Sequence, residues 1–194
     1  EPASIWFHTH LELPYASQTI PQILSNNGYT TGMAGKWHLG VESALPSLPT
    51  FSGGENPADS AVDAKLREHQ RILCDYVKKA CGFDYAAGIL QGNYRLVPIW
   101  SLSNHQNFPW TTKGAVDFIE QQAGQDKPFF LYFASTSVHN PDVNWDSDLR
   151  YTPGGRIDDV PEYGPDPEQM KRQDGGYWWR QMVSLDHQVK VIVD

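Results

Sequence analysis

The sequence predicts an α/β fold, a mostly parallel sheet flanked by helices. Three observations predict it. Residues 129–134 form an unbroken apolar run, Phe-Phe-Leu-Tyr-Phe-Ala, directly after Pro128. Such a run suits a central strand buried on both faces, as in parallel sheets. Residues 29–34 form a second short strand candidate, enclosed between Gly28 and Gly35. Segments with helical spacing of apolar residues precede and separate the two, the alternation of a layered α/β domain.

Residues 1–15 carry two histidines, two prolines and no sustained period. His8 and His10 alternate like a metal pair, but no further ligands cluster beside them and a structural site wants four. A polar loop is the better reading. Thr19 suits an N-cap, with Pro21 in the first turn and Ile20, Ile23 and Leu24 at helical spacing. This helix is expected to close at Asn26-Asn27-Gly28, with Gly28 in the left-handed conformation. The strand over 29–34 follows. Gly35 then lets the chain turn, or approach another group closely.

Immediately after Gly35 come a fixed positive charge, Lys36, and an imidazole, His38. Residues two apart in extended backbone point to the same side. Lys36 and His38 are therefore expected to face one spot just past a strand's end, where open α/β sheets hold ligands. On chemistry alone, a solvated lysine and a satisfied polar histidine stay open as alternatives.

Residues 41–57 are rich in Pro, Ser and Gly and read as a loop. A helix is expected over 58–80, with Ala61, Ala64, Leu66, Ile72, Leu73 and Val77 as apolar positions and one charged, exposed face. Cys74 and Cys81 stand about 10.5 Å apart if both are helical, too far for a disulfide. A bridge requires the helix to end between them. Gly82-Phe83-Asp84-Tyr85 opens a new segment.

Residues 95–110 are aromatic and polar. Trp100, His105, Phe108 and Trp110 either line a substrate pocket or form a packed surface loop. Thr111-Thr112 is expected to cap an amphipathic helix that turns Ala115, Val116, Phe118 and Ile119 inward and ends near Gly124. The strand over 129–134 then runs into Ser135-Thr136-Ser137-Val138-His139-Asn140-Pro141. That places His139 past the C-terminal end of a second strand. Residues 142–171 are acidic and proline-rich, without the ligand spacing of a calcium hand. They read as a solvated loop over the site. Residues 176–194 predict a last helix with Tyr177, Met182, Val183, Leu185, Val189, Ile192 and Val193 as its apolar stripe.

The chain's 194 residues suit one domain, and a net charge of −8 argues against a nucleic-acid surface. An acidic chain that binds an anion must concentrate its positive charge locally, as residues 35–40 do. No run of 18 apolar residues exists, so no membrane span is expected. Glu1-Pro2 does not read as a natural start, and no leader-type segment is expected in the chain.

The order Thr19-Ile20-Pro21-Gln22-Ile23-Leu24, Asn27-Gly28-Tyr29-Thr30-Thr31-Gly32, Gly35-Lys36-Trp37-His38-Leu39-Gly40 resembles the second signature of the sulfatase family, arylsulfatase-like members of the alkaline phosphatase superfamily. Pro-Phe-Phe-Leu-Tyr followed by His139-Asn140-Pro141 resembles a further family element, as does Met182, Asp186 and Val189 in the last helix. The likeness covers nearly the whole chain, but only the central part of a family catalytic domain. It implies an incomplete domain of alkaline phosphatase type. It also implies that the Gly-Phe-Asp element leads into a polar strand. Gly92 stands where some members place a sulfate-contacting Ser.

Sulfate-ester cleavage needs a nucleophile, charge stabilisation for the sulfuryl oxygens, and an acid for the leaving alcohol. An ammonium suits the second task and a histidine near neutral pKa the third. The resemblance implies that Lys36 bridges nucleophile and sulfate, that His38 meets the nucleophile's hydroxyl, and that His139 contacts the sulfate or leaving group. Lys36, His38 and His139 are thus the expected catalytic residues, Lys36 and His139 the sulfate-binding ones, and no metal ligand is assigned. The family nucleophile is a formylglycine made in a Cys/Ser-x-Pro-x-Arg motif, which this sequence lacks. That group and the family's calcium ion are expected to be held by residues outside this chain, so the isolated chain is not expected to turn over.

The implied partner is a sulfate-ester small molecule or a sulfated glycan, in a secretory, lysosomal or periplasmic space. A phosphate or phosphonate ester hydrolase of the same superfamily, and a non-catalytic member, are the competing readings. The Lys-x-His element suits any tetrahedral anion.

Overall fold

A computed structural model describes residues 18–37, 47–52, 54–90, 108–136, 151–152, 155–156 and 176–194. Three strands, β1 (Thr30–Lys36), β2 (Tyr85–Leu90) and β3 (Phe129–Ala134), form a parallel sheet in the order β2-β1-β3. The helices are α1 (Ile20–Asn26), α2 (Ser60–Cys81), α3 (Phe108–Gln122) and α4 (Gly176–Val193). The α/β class with a parallel sheet is as the sequence predicts.

Helix α1 begins as its sequence dictates. Thr19 is the N-cap and exchanges bonds with Gln22: the Gln22 backbone N–H donates to Thr19 Oγ1 at 3.4 Å, and the Thr19 N–H donates to Gln22 Oε1 at 3.0 Å. Both orphan donors are thereby satisfied. The Thr19 hydroxyl also donates to the Cys81 carbonyl, tying α1 to the end of α2. Asn27 caps the helix, and Gly28 follows at φ 88°. Pro21 is buried, whereas Ile20 and Ile23 stay exposed.

Strand β1 runs two residues further than the predicted strand over 29–34. Gly35 does not end it: it adopts φ 104° inside the strand, beside a bulge that leaves Gly88 of β2 without a partner, and Lys36 is its last residue. Lys36 is therefore a strand residue rather than a loop residue. A Cβ on Gly35 would lie 2.1 Å from the Ala134 carbonyl oxygen, so only glycine permits this approach of β1 to β3.

Neighbouring β1 residues face opposite sides of the sheet. Met33 joins Leu73, Val77, Cys81, Phe83 and Ile89 on the α2 side. Gly32 sits under the Phe118 ring on the α3 side, where a Cβ would come within 2.7 Å. Phe118 is fully buried between Tyr85 and Phe129, with ring centroids at 5.2 and 5.7 Å. Helix α3 thus covers one face of the three strands, and α2 covers the other, mainly over β2.

Several details differ from expectation. On α2 the buried face is Val62, Leu66, His69, Gln70, Ile72, Leu73, Val77 and Cys81, while Ala61 and Ala64 are exposed. Two polar residues occupy its middle, which is why the apolar stripe reads as imperfect. Its charges do form an exposed face, with Arg71 bridging Glu68 and Asp75 at 2.7 and 2.9 Å. Cys74 and Cys81 both lie inside α2 and are free thiols, as helical separation demands.

Strand β2 is apolar, Tyr-Ala-Ala-Gly-Ile-Leu, not the polar strand implied after Gly-Phe-Asp. Helix α3 starts a turn early, at Phe108. Thr111 and Thr112 are fully buried within it rather than capping it. Among the described residues β1 is the central strand, and β3 pairs on one side alone, leaving Phe129 43% and Tyr132 47% exposed. On α4 the predicted stripe is rotated. Met182, Val189 and Val193 are exposed, and Gln188 is fully buried. Inside the expected loop over 142–171, Tyr151–Thr152 (β4) and Gly155–Arg156 (β5) pair as a short antiparallel ladder.

Candidate functional site

The parallel register brings the C-terminal ends of three strands to one edge. Gly35 pairs with Ala134 on one flank, and Lys36 pairs with Leu90 on the other. One further step sets Lys36 level with Ser135. Ser135 and the buried Thr136 follow β3 at this same edge. This is the edge at which open α/β sheets hold ligands.

Lys36 is half-buried there and makes no ion pair with any described residue. Burial lowers its ammonium below the ordinary lysine pKa, since lost hydration penalises the charged form. Among the described residues, no carboxylate offsets that charge.

The backbone around Lys36 is held on both sides. Gly35 closes on Ala134. The Trp37 N–H donates to the Leu90 carbonyl at 2.8 Å. The Trp37 indole meets Phe83 edge-on, with centroids 6.5 Å apart and planes at 90°. Behind β3, the Ser135 hydroxyl donates to Gln188 Oε1 at 3.4 Å. Sequence reasoning missed Gln188, because a glutamine inside an apolar helix gives no signal of its burial.

Of the three residues singled out from the sequence, Lys36 is placed at this edge. His38 and His139 lie outside the described residues, as do Gly92, Trp100, His105, and His8 and His10. Trp110 is buried in the first turn of α3. Among the described residues no three His, Cys, Asp or Glu side chains group so as to hold a metal ion. They offer no fit to a calcium ion, and no step here runs through one.

Fold and edge together define an α/β protein with a half-buried lysine at the carboxyl end of its parallel sheet. A family model described as Sulfatase matches residues 6–193, and the chain belongs to that family. It is 33% identical over 145 residues to arylsulfatase A of Homo sapiens, covering 70% of this chain and 27% of that protein. It is 27% identical over 134 residues to N-acetylgalactosamine-6-sulfatase of Mus musculus, covering 66% of this chain and 24% of that protein. A solved structure titled "Crystal structure of Ps i-CgsB" superposes with a TM-score of 0.47 at 20% identity, over 95% of this chain and 37% of that one. The chain thus spans about a quarter of the length of the curated relatives it matches. Among the described residues no helix is long and apolar enough to cross a membrane.

Proposed function

We infer that this chain supplies part of the sulfate-binding site of a sulfuric ester hydrolase of arylsulfatase type. The observation that carries the reading is Lys36: half-buried, without an anionic partner among the described residues, at the carboxyl end of the central strand. In this reading its ammonium neutralises the sulfuryl oxygens, where charge grows as the ester bond breaks. His38, two residues on, holds the nucleophile's hydroxyl. His139, beyond β3, meets the sulfate or the leaving oxygen and delivers a proton to it. Parallel pairing of β1 and β3 supports this, because both strands end at one edge.

The substrate class is a sulfate-ester small molecule or sulfated glycan. The formylglycine nucleophile and the calcium ion belong to sequence outside this chain, so these 194 residues alone bind the anion without turnover.

The test replaces Lys36 by Ala in a full-length sulfatase that contains this segment. Hydrolysis of a sulfate ester should fall on the order of 10²-fold or more, as loss of a charge-stabilising group does. Unchanged hydrolysis removes Lys36 from the site. Parallel assays with the matching phosphate ester separate the phosphatase reading, and a complete enzyme inert toward both supports a non-catalytic member.

A further inference from the structure

We propose that Trp37 is a positioning residue, whose indole, seated between the sheet and α2, fixes the Lys36 ammonium at the sheet edge. The proposal rests on Lys36 as the anion-binding group.

Trp37 is bonded to the fold through both backbone and side chain. Its N–H extends the β1–β2 ladder one residue past Lys36, to Leu90 at 2.8 Å. Its ring packs against the buried cluster of Met33, Leu73, Val77, Cys81, Phe83 and Ile89, edge-on to Phe83. Met33 lies four residues earlier on the same strand face, so the indole continues the α2-side core to the very end of β1. Side chains alternate across a strand. An indole drawn to the α2 side therefore sends the preceding Lys36 toward the other side. Gly35 fixes the residue before Lys36 against Ala134, and Trp37 fixes the residue after it. The lysine stem is held between two immobile neighbours, and its ammonium stays half-buried.

A second observation shows that the ring's bulk is what matters. The indole Nε1 is buried and has no acceptor among the described residues. A buried donor left unpaired is unfavourable. Among the described residues the packed ring, not the N–H, carries the anchoring.

The experiment uses a full-length sulfatase that contains this segment, as the parent chain, and its Trp37→Ala and Trp37→Phe variants. NMR of the Lys36 side chain is followed against pH, then against added sodium sulfate. Trp37→Ala should raise the Lys36 pKa toward that of an exposed lysine and weaken sulfate binding at least tenfold. Trp37→Phe should keep both close to the parent chain. Leu66→Ala, a core change away from the edge, should leave the Lys36 pKa in place, whereas a merely structural role of Trp37 would let both core changes move it alike. A folded Trp37→Ala chain with unchanged Lys36 pKa and sulfate affinity overturns the proposal. So does a Trp37→Phe chain as impaired as Trp37→Ala, which would assign the effect to the N–H. If Trp37→Ala does not fold, Trp37→Leu takes its place with the same two outcomes. A parent chain that binds no sulfate refutes the anion-site reading, while the pKa comparison still decides the role of Trp37.

Discussion

Asp84 and Thr31 are locked to one another across the start of the β1–β2 pair. One carboxylate oxygen of Asp84 accepts the Thr31 N–H at 2.8 Å and its hydroxyl at 3.1 Å. In return the Asp84 N–H lies 3.0 Å from the Thr31 carbonyl and 3.2 Å from its Oγ1. The Gly-Phe-Asp element thus sets the strand pairing at the amino end of the sheet, opposite the edge that holds Lys36. Asp84→Ala should cost about 2–3 kcal/mol, the scale of bonds to a charged acceptor with a donor left unpaired. Urea unfolding of the chain measures it. Sulfate affinity of the folded fraction should not change.

Gly35→Ala is expected to be worse than its single added methyl suggests. The new Cβ meets the Ala134 carbonyl at 2.1 Å, and φ at 104° is strained for any L side chain. A loss of about 3 kcal/mol or more is expected, from strain added to broken pairing. Hydrogen exchange checks it, since amides of β3 should lose protection before those of β2.

Lys36 gives sulfate binding an alkaline limit. Its folded pKa lies below the unfolded value of 10.5, so burial of the charged form opposes folding at neutral pH. That penalty is fully present below the folded pKa and is relieved as pH rises toward 10.5. Anion binding moves the other way, weakening as the ammonium deprotonates across the same window. Titration of sulfate affinity against pH should show the loss beginning below 10.5, and Lys36→Met should abolish both trends.

His69 makes the fold acid-sensitive. It is buried on α2, edge-on to Phe51 at 6.1 Å, and its Nδ1 has no partner among the described residues. Lys65 sits 5.8 Å above the same Phe51 ring, so a protonated His69 would stand close to a like charge. Burial lowers the His69 pKa to about 4. Between there and 6.5 the unfolded chain binds the extra proton. Stability is therefore complete above 6.5 and falls as pH drops toward 4, by about 3 kcal/mol at most. His69→Phe should flatten this slope in denaturation midpoints measured across that range.

The sequence was legible where local chemistry and fold agree. Thr19, Pro21 and Gly28 mark α1 because capping depends on a few neighbouring residues. Helix α2 and strand β3 show in their periodicity and apolar run. Strand β2 did not show, because Ala86, Ala87 and Gly88 carry no strand preference and owe their place to α3 pressing close on them. The first turn of α3 was hidden by Thr111 and Thr112, which read as a cap but are packed inside. The rotated face of α4 follows from burial of Gln188, a tertiary choice that hydrophobicity cannot anticipate. At the site, Lys36 was legible from its position after a glycine-bounded strand. Its neighbour's anchoring was not, since a tryptophan in a polar motif gives no sign of which side it will occupy.

The bulge at Gly88, beside Gly35, has a consequence for how this protein can vary. Strand β1 keeps step with β3 throughout but slips against β2 between Ala34 and Gly35. A ribbon matched on one flank and offset on the other cannot slide along either without losing both. Insertions or deletions inside it should be rejected outright. The height of the charge above the sheet is thereby fixed like a tooth in a gear.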